Sequence, residues 1–151
     1  MRKLLLTTLM FLCVMWATPA RADVGIGLFL GEPTGFDLKI GVGPQSGIDL
    51  VFGYTTFRDA RTGYGHVTYL VTPLVGHGSS ITVPLRLGIG AAIFGPSNDI
   101  GFAIRAPLEI GLRFRSPIEL YGEIAAALDV VGVGDTPFLD LQGGVGLRLY
   151  F

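Results

Sequence analysis

Eleven ionisable side chains of both signs lie singly between uncharged, mostly apolar neighbours in this sequence. They are Asp37, Lys39, Asp49, Arg86, Arg105, Glu109, Arg113, Glu119, Glu123, Asp140 and Arg148. Carboxylates and guanidinium groups brought together could form a proton relay or an ion path, or they could pair and neutralise one another. Buried charges need partners to offset their desolvation, and the mixture of signs offers a partner to each. We therefore interpret the set as a network of ion pairs.

His66 and His77 are the only histidines and the remaining candidates for acid–base catalysis or metal binding. A nucleophilic hydroxyl needs a base that a third group orients. Ser79 and Ser80 lie beside His77, but no acidic residue lies near it in the sequence. The two histidines also lack a spacing typical of metal ligands. The sequence therefore predicts no catalytic site, no metal site and no cofactor.

The N-terminal segment, residues 1–22, has the three parts of a secretory signal peptide. Residues 2–3 are basic, residues 4–16 are apolar, and an Ala-Arg-Ala pattern ends at Ala22. An uncleaved anchor is the alternative, but the apolar stretch is shorter than the roughly 20 residues that a spanning helix needs. Cleavage after Ala22 removes Cys13, the only cysteine, so the mature chain has no disulfide.

Removal of the signal peptide leaves eight basic against twelve acidic side chains, a formal net charge of −4. The mature chain also has no run of basic residues. Nucleic-acid-binding proteins carry a basic patch or stripe. The sequence therefore predicts no nucleic-acid partner.

Residues 23–151 alternate between two unlike faces and show no helical periodicity. In Phe138–Phe151 the odd positions are uncharged and the even positions include Asp140, Gln142 and Arg148, which is the period of two of a β-strand. The same alternation predicts eight strands: Val24–Leu30, Phe36–Val42, Ile48–Tyr54, Tyr64–Val75, Ile81–Ile93, Ile100–Arg115, Ile118–Val130 and Phe138–Phe151. Short turns between them make neighbours antiparallel, and closure into an up-and-down barrel removes both exposed sheet edges.

One segment fits the alternation poorly. In Tyr64–Val75, the residues Val67, Tyr69, Val71 and Val75 share one face. Leu70 and Leu74 instead fall on the other face, with His66, Thr68 and Thr72. Both faces of this strand are therefore predicted to carry apolar side chains.

Two kinds of eight-stranded barrel are compatible with this alternation. A soluble, lipocalin-like barrel is polar outside, whereas a membrane barrel is apolar outside. The charged face is also rich in glycine, which suits the crowded interior of an eight-stranded barrel. A soluble protein that exposed the other face would carry an apolar patch far above roughly a few hundred Å². We therefore predict an all-β fold, a closed eight-stranded antiparallel up-and-down transmembrane β-barrel spanning residues 23–151, with the charged side chains in its lumen.

Aromatic residues lie near the strand ends of the apolar face, as in the girdles of outer-membrane barrels. They are Phe36, Tyr54, Phe102, Phe114 and Phe151. The chain ends in Leu149-Tyr150-Phe151, and a final strand that ends in phenylalanine resembles the signal that the barrel assembly machinery reads in bacterial outer-membrane proteins. Phe151 is therefore the predicted assembly signal.

Three segments of the sequence resemble those of a known family, and the resemblance extends over most of the mature chain. They are Gly31-Glu32-Pro33-Thr34-Gly35 after a glycine-rich first strand, residues 117–121 together with Leu128-Asp129, and residues 143–151. Together they resemble a poorly characterised family of small bacterial outer-membrane barrels known from spirochaetes and from myxobacteria and their relatives. Residues 57–79 show no such resemblance. The family has no established enzymatic activity, so the resemblance implies the barrel and no catalytic residues.

Two classes of function are compatible with these observations. The first is a non-enzymatic outer-membrane barrel with a structural or surface-interaction role and a lumen plugged by ion pairs. The alternative is a narrow channel or transporter for small solutes. A lipid-modifying barrel enzyme would need a cluster of histidine, serine and acid that the sequence does not show.

The same reasoning predicts the location and partners of the protein. An even number of strands places both termini on one side, which we expect to be the periplasm of a Gram-negative-type bacterium. The expected partners are outer-membrane lipids and the assembly machinery, and the barrel is expected to be a monomer. The sequence leaves open whether an extracellular protein binds the loops. Their charged residues are Arg58, Asp59, Arg61, Asp99 and Asp135.

Overall fold

The computed structural model describes residues 23–55, 62–95, 100–131 and 138–151. Its strands are β1 (Val24–Glu32), β2 (Thr34–Gly43), β3 (Ser46–Thr55), β4 (Thr62–His77), β5 (Ile81–Gly95), β6 (Gly101–Phe114), β7 (Ile118–Val131) and β8 (Phe138–Tyr150). All eight predicted strands are confirmed, with differences only at their ends. The predicted signal peptide and the loop residues Arg58, Asp59, Arg61, Asp99 and Asp135 lie outside the described residues. Within the described segments, no helix is long and apolar enough to cross a membrane.

The strands pair in sequence order, and β8 returns to pair with β1, so the sheet closes into a barrel. The pairing is antiparallel at the closing seam, where Leu28 lies opposite Leu147. The Phe151 N–H extends this seam by donating to the Val24 carbonyl oxygen at 2.9 Å. The first and last described residues therefore share one end, which we call the near end. The predicted closed, antiparallel, eight-stranded fold is confirmed, and closure leaves no exposed sheet edge.

The two faces of the barrel wall differ in chemistry. Apolar side chains on the outside are widely exposed, among them Ile89, Ile124 and Leu141. Charged side chains point inward and are buried, among them Asp49 and Arg105. Side chains of a strand alternate between its two faces, so the period of two in the sequence translates directly into this division. The predicted assignment of the apolar face to the outside is confirmed.

Strand β4 changes phase at a bulge. Its register with β5 shifts between Val71 and Leu74. Leu70 therefore points into the barrel and is 1% exposed, whereas Leu74 points outward and is 64% exposed. The prediction that Leu74 shares the inward face with His66 is wrong, because an inserted residue at a bulge reverses the alternation beyond it. Val75 lies opposite Pro84 and lines the inside of the barrel, so its predicted place on the outward face with Val67 is also wrong.

Candidate functional site in the barrel lumen

Nine of the eleven predicted lumen residues are buried inside the barrel. They are Asp37, Lys39, Asp49, Arg86, Arg105, Glu109, Glu119, Glu123 and Arg148. Arg113 and Asp140 are half-buried. The ion pairs and hydrogen bonds that connect the buried residues are called the lumen network below.

Arg148 is the centre of the lumen network. Its Nε donates to Asp37 Oδ2 at 2.6 Å, and its Nη2 donates to Asp49 Oδ1 at 2.7 Å. Its Nη1 donates to Glu109 Oε2 at 2.9 Å and lies 3.4 Å from Glu119 Oε1. A guanidinium offers five donors in a rigid fork, so one side chain on β8 can bridge carboxylates from β2, β3, β6 and β7.

Arg86 on β5 forms a second centre beside the first. Its Nη1 and Nη2 donate to Glu119 Oε1 and Oε2 at 2.8 and 2.7 Å, a bidentate pair. Its Nη1 also donates to Glu109 Oε1. Lys39 Nζ lies 3.6 Å from that same Glu109 oxygen. Glu109 and Glu119 thus each bind both Arg86 and Arg148. These shared contacts cross-link the four strands β5, β6, β7 and β8.

Arg105 on β6 forms the third group. Its Nη2 donates to Glu123 Oε1 at 2.5 Å, and its Nη1 donates to Thr68 Oγ1 at 3.2 Å. The same Nη1 lies 2.8 Å from His66 Nε2. An arginine can only donate, so His66 Nε2 accepts this bond and the ring carries its proton on Nδ1. His66 Nε2 also lies 3.6 Å from Asp49 Oδ2, which places this group beside the Arg148 group.

Tyrosines complete the lumen network. The Tyr121 hydroxyl donates to Asp37 Oδ2 at 2.5 Å, and the Tyr150 hydroxyl donates to Glu119 Oε1 at 3.2 Å. The Arg148 guanidinium carbon lies 3.7 Å from the centre of the Tyr121 ring, a cation–π contact. Gly146 lies opposite Tyr121 on β8, where a Cβ would come within 2.2 Å of the ring. Glycine at this position makes room for the tyrosine.

Arg113 and Asp140 do not join the lumen network. Arg113 lies opposite Glu119 in the strand register, but its guanidinium binds both carboxylate oxygens of Asp23 at 2.5 and 2.8 Å. This pair is at the near end and is partly exposed. Asp140 has no cation within ion-pair distance in the part of the chain that the structure describes. The prediction that these two residues contribute to the buried ion pairs is therefore corrected.

The lumen is filled at the level of the network. Four of its charged residues have 0% exposure: Arg105, Glu109, Glu119 and Arg148. These four side chains are therefore packed on every side by other atoms of the barrel. Further from the near end, the Tyr64 hydroxyl donates to Gln142 Oε1 at 3.0 Å. Tyr64 also packs in an apolar cluster with Ala92, Phe94 and Ala103.

A cavity of about 430 Å³ lies between the network and the near end. We call it the near-end cavity. Its charged wall consists of Asp23, Lys39, Arg86 and Arg113. The rest of the lining consists of the hydroxyl-bearing residues Ser46, Thr72, Thr82 and Tyr150 and the apolar residues Leu70, Val75 and Pro84. The cavity is therefore amphipathic, with cations outnumbering carboxylates on its wall.

The two histidines occupy unlike places. His66 is buried in the lumen network. His77 ends β4 and is exposed, as are Ser79 and Ser80. Among residues 23–55, 62–95, 100–131 and 138–151, no group of three or more His, Cys, Asp or Glu side chains is placed to hold a metal ion.

Sequence reasoning did not assign His66, Asp23 or Tyr150 to the ion-pair contacts. The even-numbered position of His66 could have indicated its place in the lumen, because His66 shares the inward face of β4 with Thr68. Tyr150 likewise shares the inward face of β8 with Arg148. Asp23 precedes the first strand, so no alternation pattern points to it.

No protein-family model, curated protein or solved structure matches this chain. The functional conclusion therefore depends on the fold and on the chemistry of its two faces.

Proposed function

We propose that this chain is a non-enzymatic integral outer-membrane β-barrel with a structural or surface-interaction role, whose lumen is plugged by ion pairs. The observation that carries this proposal is the division of the barrel wall, with an exposed apolar outer face and charges inside. In water such an outer face would be far larger than the apolar patches of monomeric proteins. In lipid the same face is favourable, and the closed sheet pairs every strand with a neighbour on both sides.

The dimensions of the strands agree with a membrane span. The shortest strand, β1, has 9 residues and the longest, β4, has 16. A tilted strand needs about 9–11 residues to cross the hydrocarbon core. Tyr54 and Phe102 are exposed on the outer face near strand ends, where they would meet the membrane interface.

The location in an outer membrane is supported by three sequence features. They are the signal peptide, the terminal phenylalanine, and the resemblance to small outer-membrane barrels of spirochaetes and myxobacteria. Phe151 is 79% exposed, and its N–H closes the seam between the first and last strands. This position would leave its ring accessible to the assembly machinery. We propose a monomer with outer-membrane lipids as its main contacts.

Orientation can be tested with single cysteines, since the mature chain has none of its own. Ser116 lies in the β6–β7 turn at the near end, and Thr34 lies at the opposite end; both are exposed. With both termini in the periplasm, an impermeant maleimide on intact cells should label Thr34→Cys and leave Ser116→Cys unlabelled until the outer membrane is opened. The reverse pattern would overturn the orientation, and equal labelling of both in the soluble fraction would overturn the membrane location.

A narrow channel is the second candidate, because the near-end cavity extends into the lumen. The 0% exposure of Arg105 and Arg148 favours a closed plug instead. Planar-bilayer recording of the refolded mature chain separates the two. We expect no stable conductance steps. Reproducible conductance steps that disappear when Arg105 is substituted would make the channel the better-supported function.

The role of Phe151 is tested by comparing assembly with folding. Phe151→Ala should lower the amount of folded barrel in the outer membrane of cells, since the assembly machinery would lose its signal. Refolding of the same variant into detergent should be unchanged, because the Phe151 contact with Val24 is made by the backbone. Equal assembly of Phe151→Ala and the unaltered chain in cells would refute the assignment.

A further inference from the structure

We propose that the near end of β4 binds an extended segment of a periplasmic protein, which pairs with it as an added β-strand. Closure of the barrel leaves no free edge where neighbouring strands overlap, but β4 continues past the end of β3. The last pair between these strands joins Val71 to Ser46, and β4 runs on to His77. Within the described chain, residues 73–77 have only β5 as a neighbouring strand. This open edge, residues 73–77, is called the β4 edge below.

The backbone groups that face outward from the β4 edge follow from its pairing with β5. Gly78 donates its N–H to the Ile81 carbonyl at 2.9 Å, so these two residues form a hydrogen-bonded pair. Bonded and non-bonded pairs alternate along an antiparallel ladder. The N–H and C=O groups of Val75 and His77 therefore point away from β5, where no strand of the described chain receives them. An added strand can form hydrogen bonds with both residues, as in other cases of β-strand addition.

The β4 edge lacks most of the features that protect natural sheet edges from pairing. Such edges carry charged side chains, especially lysine, or proline. Residues 71–83 contain no Asp, Glu, Lys or Arg, and Pro73 stands only at the beginning of the edge. Leu74 and Val75 are both exposed apolar side chains. Recognition would therefore depend on backbone hydrogen bonds and apolar contacts rather than on charge.

A surface cavity lies at the corner where β3 ends and the β4 edge begins. Its volume is about 360 Å³, and it is lined by Pro44, Gln45, Ser46, Val71, Thr72 and Pro73. An added strand would continue the line of β3 and would place a side chain over this cavity. The apolar groups of Pro44, Val71 and Pro73 favour an apolar side chain at that position.

The surroundings of the β4 edge depend on the membrane span, so this inference rests on the proposed function. Unpaired backbone groups are not tolerated in hydrocarbon. β4 has 16 residues, whereas about 9–11 suffice to cross the hydrocarbon core. The edge would therefore extend into water at the near end, which the proposed orientation assigns to the periplasm.

A second copy of the chain fits the β4 edge less well than a free segment does. Two copies in one membrane point the same way, so a two-fold axis between them runs along the membrane normal. Strands of membrane barrels tilt by about 35–45° from that normal. Two β4 edges related by this axis would cross at about 70–90°, which is too steep for a hydrogen-bonded ladder. An extended segment of another protein is free of this constraint.

The test uses the mature barrel, residues 23–151, in phosphatidylcholine nanodiscs, which leave both membrane faces accessible. The probe is a fluorescein-labelled seven-residue peptide of alternating threonine and leucine, and fluorescence anisotropy measures its binding against empty nanodiscs. We expect saturable binding. The same peptide with methylated backbone nitrogens should not bind, because it has no N–H groups to donate. Replacing its terminal leucine with alanine should weaken binding about fivefold or more, since less apolar surface enters the cavity.

Val75→Pro removes one outward N–H of the β4 edge and keeps the pairing with β5, because proline is tolerated on an open edge. It should weaken peptide binding about tenfold or more, since a hydrogen bond is lost and the ring obstructs the added strand. Val75→Thr is the matched control, because it keeps the N–H and the branched side chain; it should bind as the unaltered chain does. The heat-dependent mobility shift on gels shows whether each variant is folded. If Val75→Pro does not fold, His77→Pro replaces it, since His77 has an outward N–H at the end of the strand.

Absence of saturable binding by a folded barrel, or equal binding by the folded proline variant and the threonine control, would overturn the proposal. Oxidation of Leu74→Cys in vesicles tests the other occupant, since the mature chain has no cysteine of its own. Disulfide-linked dimers in high yield would mean that a second copy covers the β4 edge, which would also overturn the proposal. Failure of the unaltered chain to insert into nanodiscs would contradict the membrane proposal instead.

Discussion

Arg148 and Glu109 meet across the interior of the barrel, with Nη1 2.9 Å from Oε2 and neither side chain exposed. They belong to β8 and β6, which are not neighbours in the sheet. Backbone hydrogen bonds join only adjacent strands, so this pair ties together parts of the wall that the sheet itself does not connect. The lumen network is therefore a second set of cross-links in addition to the sheet.

Arg148→Met should destabilise the barrel by about 3–5 kcal/mol, as expected when one partner of a buried ion pair is removed. Asp37 and Asp49 would lose the cation that neutralises both. Thermal unfolding in detergent, followed by gel mobility, measures the change. Arg113→Met is the control and should cost roughly 0–1 kcal/mol, because its pair with Asp23 is partly exposed. Equal losses in the two variants would show that the network does not hold the barrel together.

Arg105 and Glu123 should behave as a coupled pair. Each single change to methionine leaves a buried charge without its partner, at a cost of about 3–5 kcal/mol. The double change removes both charges, so its cost should be lower than the sum by roughly 0.5–3 kcal/mol. Unfolding of the four proteins under identical conditions gives this coupling energy. Combining Glu123→Met with Arg113→Met should give simple additivity, because Arg113 pairs with Asp23; rescue by that combination would contradict the observed pairing.

Gly146 on the inner face of β8, with Gly122 on the outer face of β7 as the comparison, provides a test of interior crowding. A Cβ at Gly146 would lie 2.2 Å from the Tyr121 ring, whereas a Cβ at Gly122 would have its nearest neighbour at 3.9 Å. Gly146→Ala should displace Tyr121 from Asp37 and Arg148 and cost roughly 1–3 kcal/mol, the usual range for overpacking. Gly122→Ala should leave the unfolding temperature almost unchanged. A larger loss at Gly122 than at Gly146 would contradict the described packing.

The apolar outer face can be tested at Ile124, which is 63% exposed near the middle of β7. In a membrane barrel, Ile124→Arg should cost roughly 2–4 kcal/mol, the price of an arginine near the bilayer midplane. Ser116→Arg, in a turn at the near end, should be tolerated. Folding yield in phosphatidylcholine vesicles as a function of urea gives both values. If Ile124→Arg is harmless and raises solubility without detergent, a soluble barrel becomes the better description.

The prediction of β4 shows the limit of a repeating pattern. Alternation is a local property, so it assigned Leu70 to the inner face correctly. The same pattern then placed Leu74 on the inner face as well, because the alternation of every second residue was continued unbroken through residues 72–73. The structure has a bulge there, and the backbone N–H of Thr72 donates to the Gln45 carbonyl at 2.8 Å. The poor fit of this segment to the alternation indicated an irregularity, but it did not locate the bulge.

The sequence by itself determined the number of strands, their antiparallel order and the face on which most side chains lie. These properties follow from the period of two and from short connections, which are readable residue by residue. Only the tertiary structure decided which charges meet. Arg148 reaches Asp49, and Arg113 turns to Asp23 while Glu119 lies opposite it in the register. Contacts across a lumen depend on the depth of each residue along the barrel axis, which the closure and stagger of all eight strands set together.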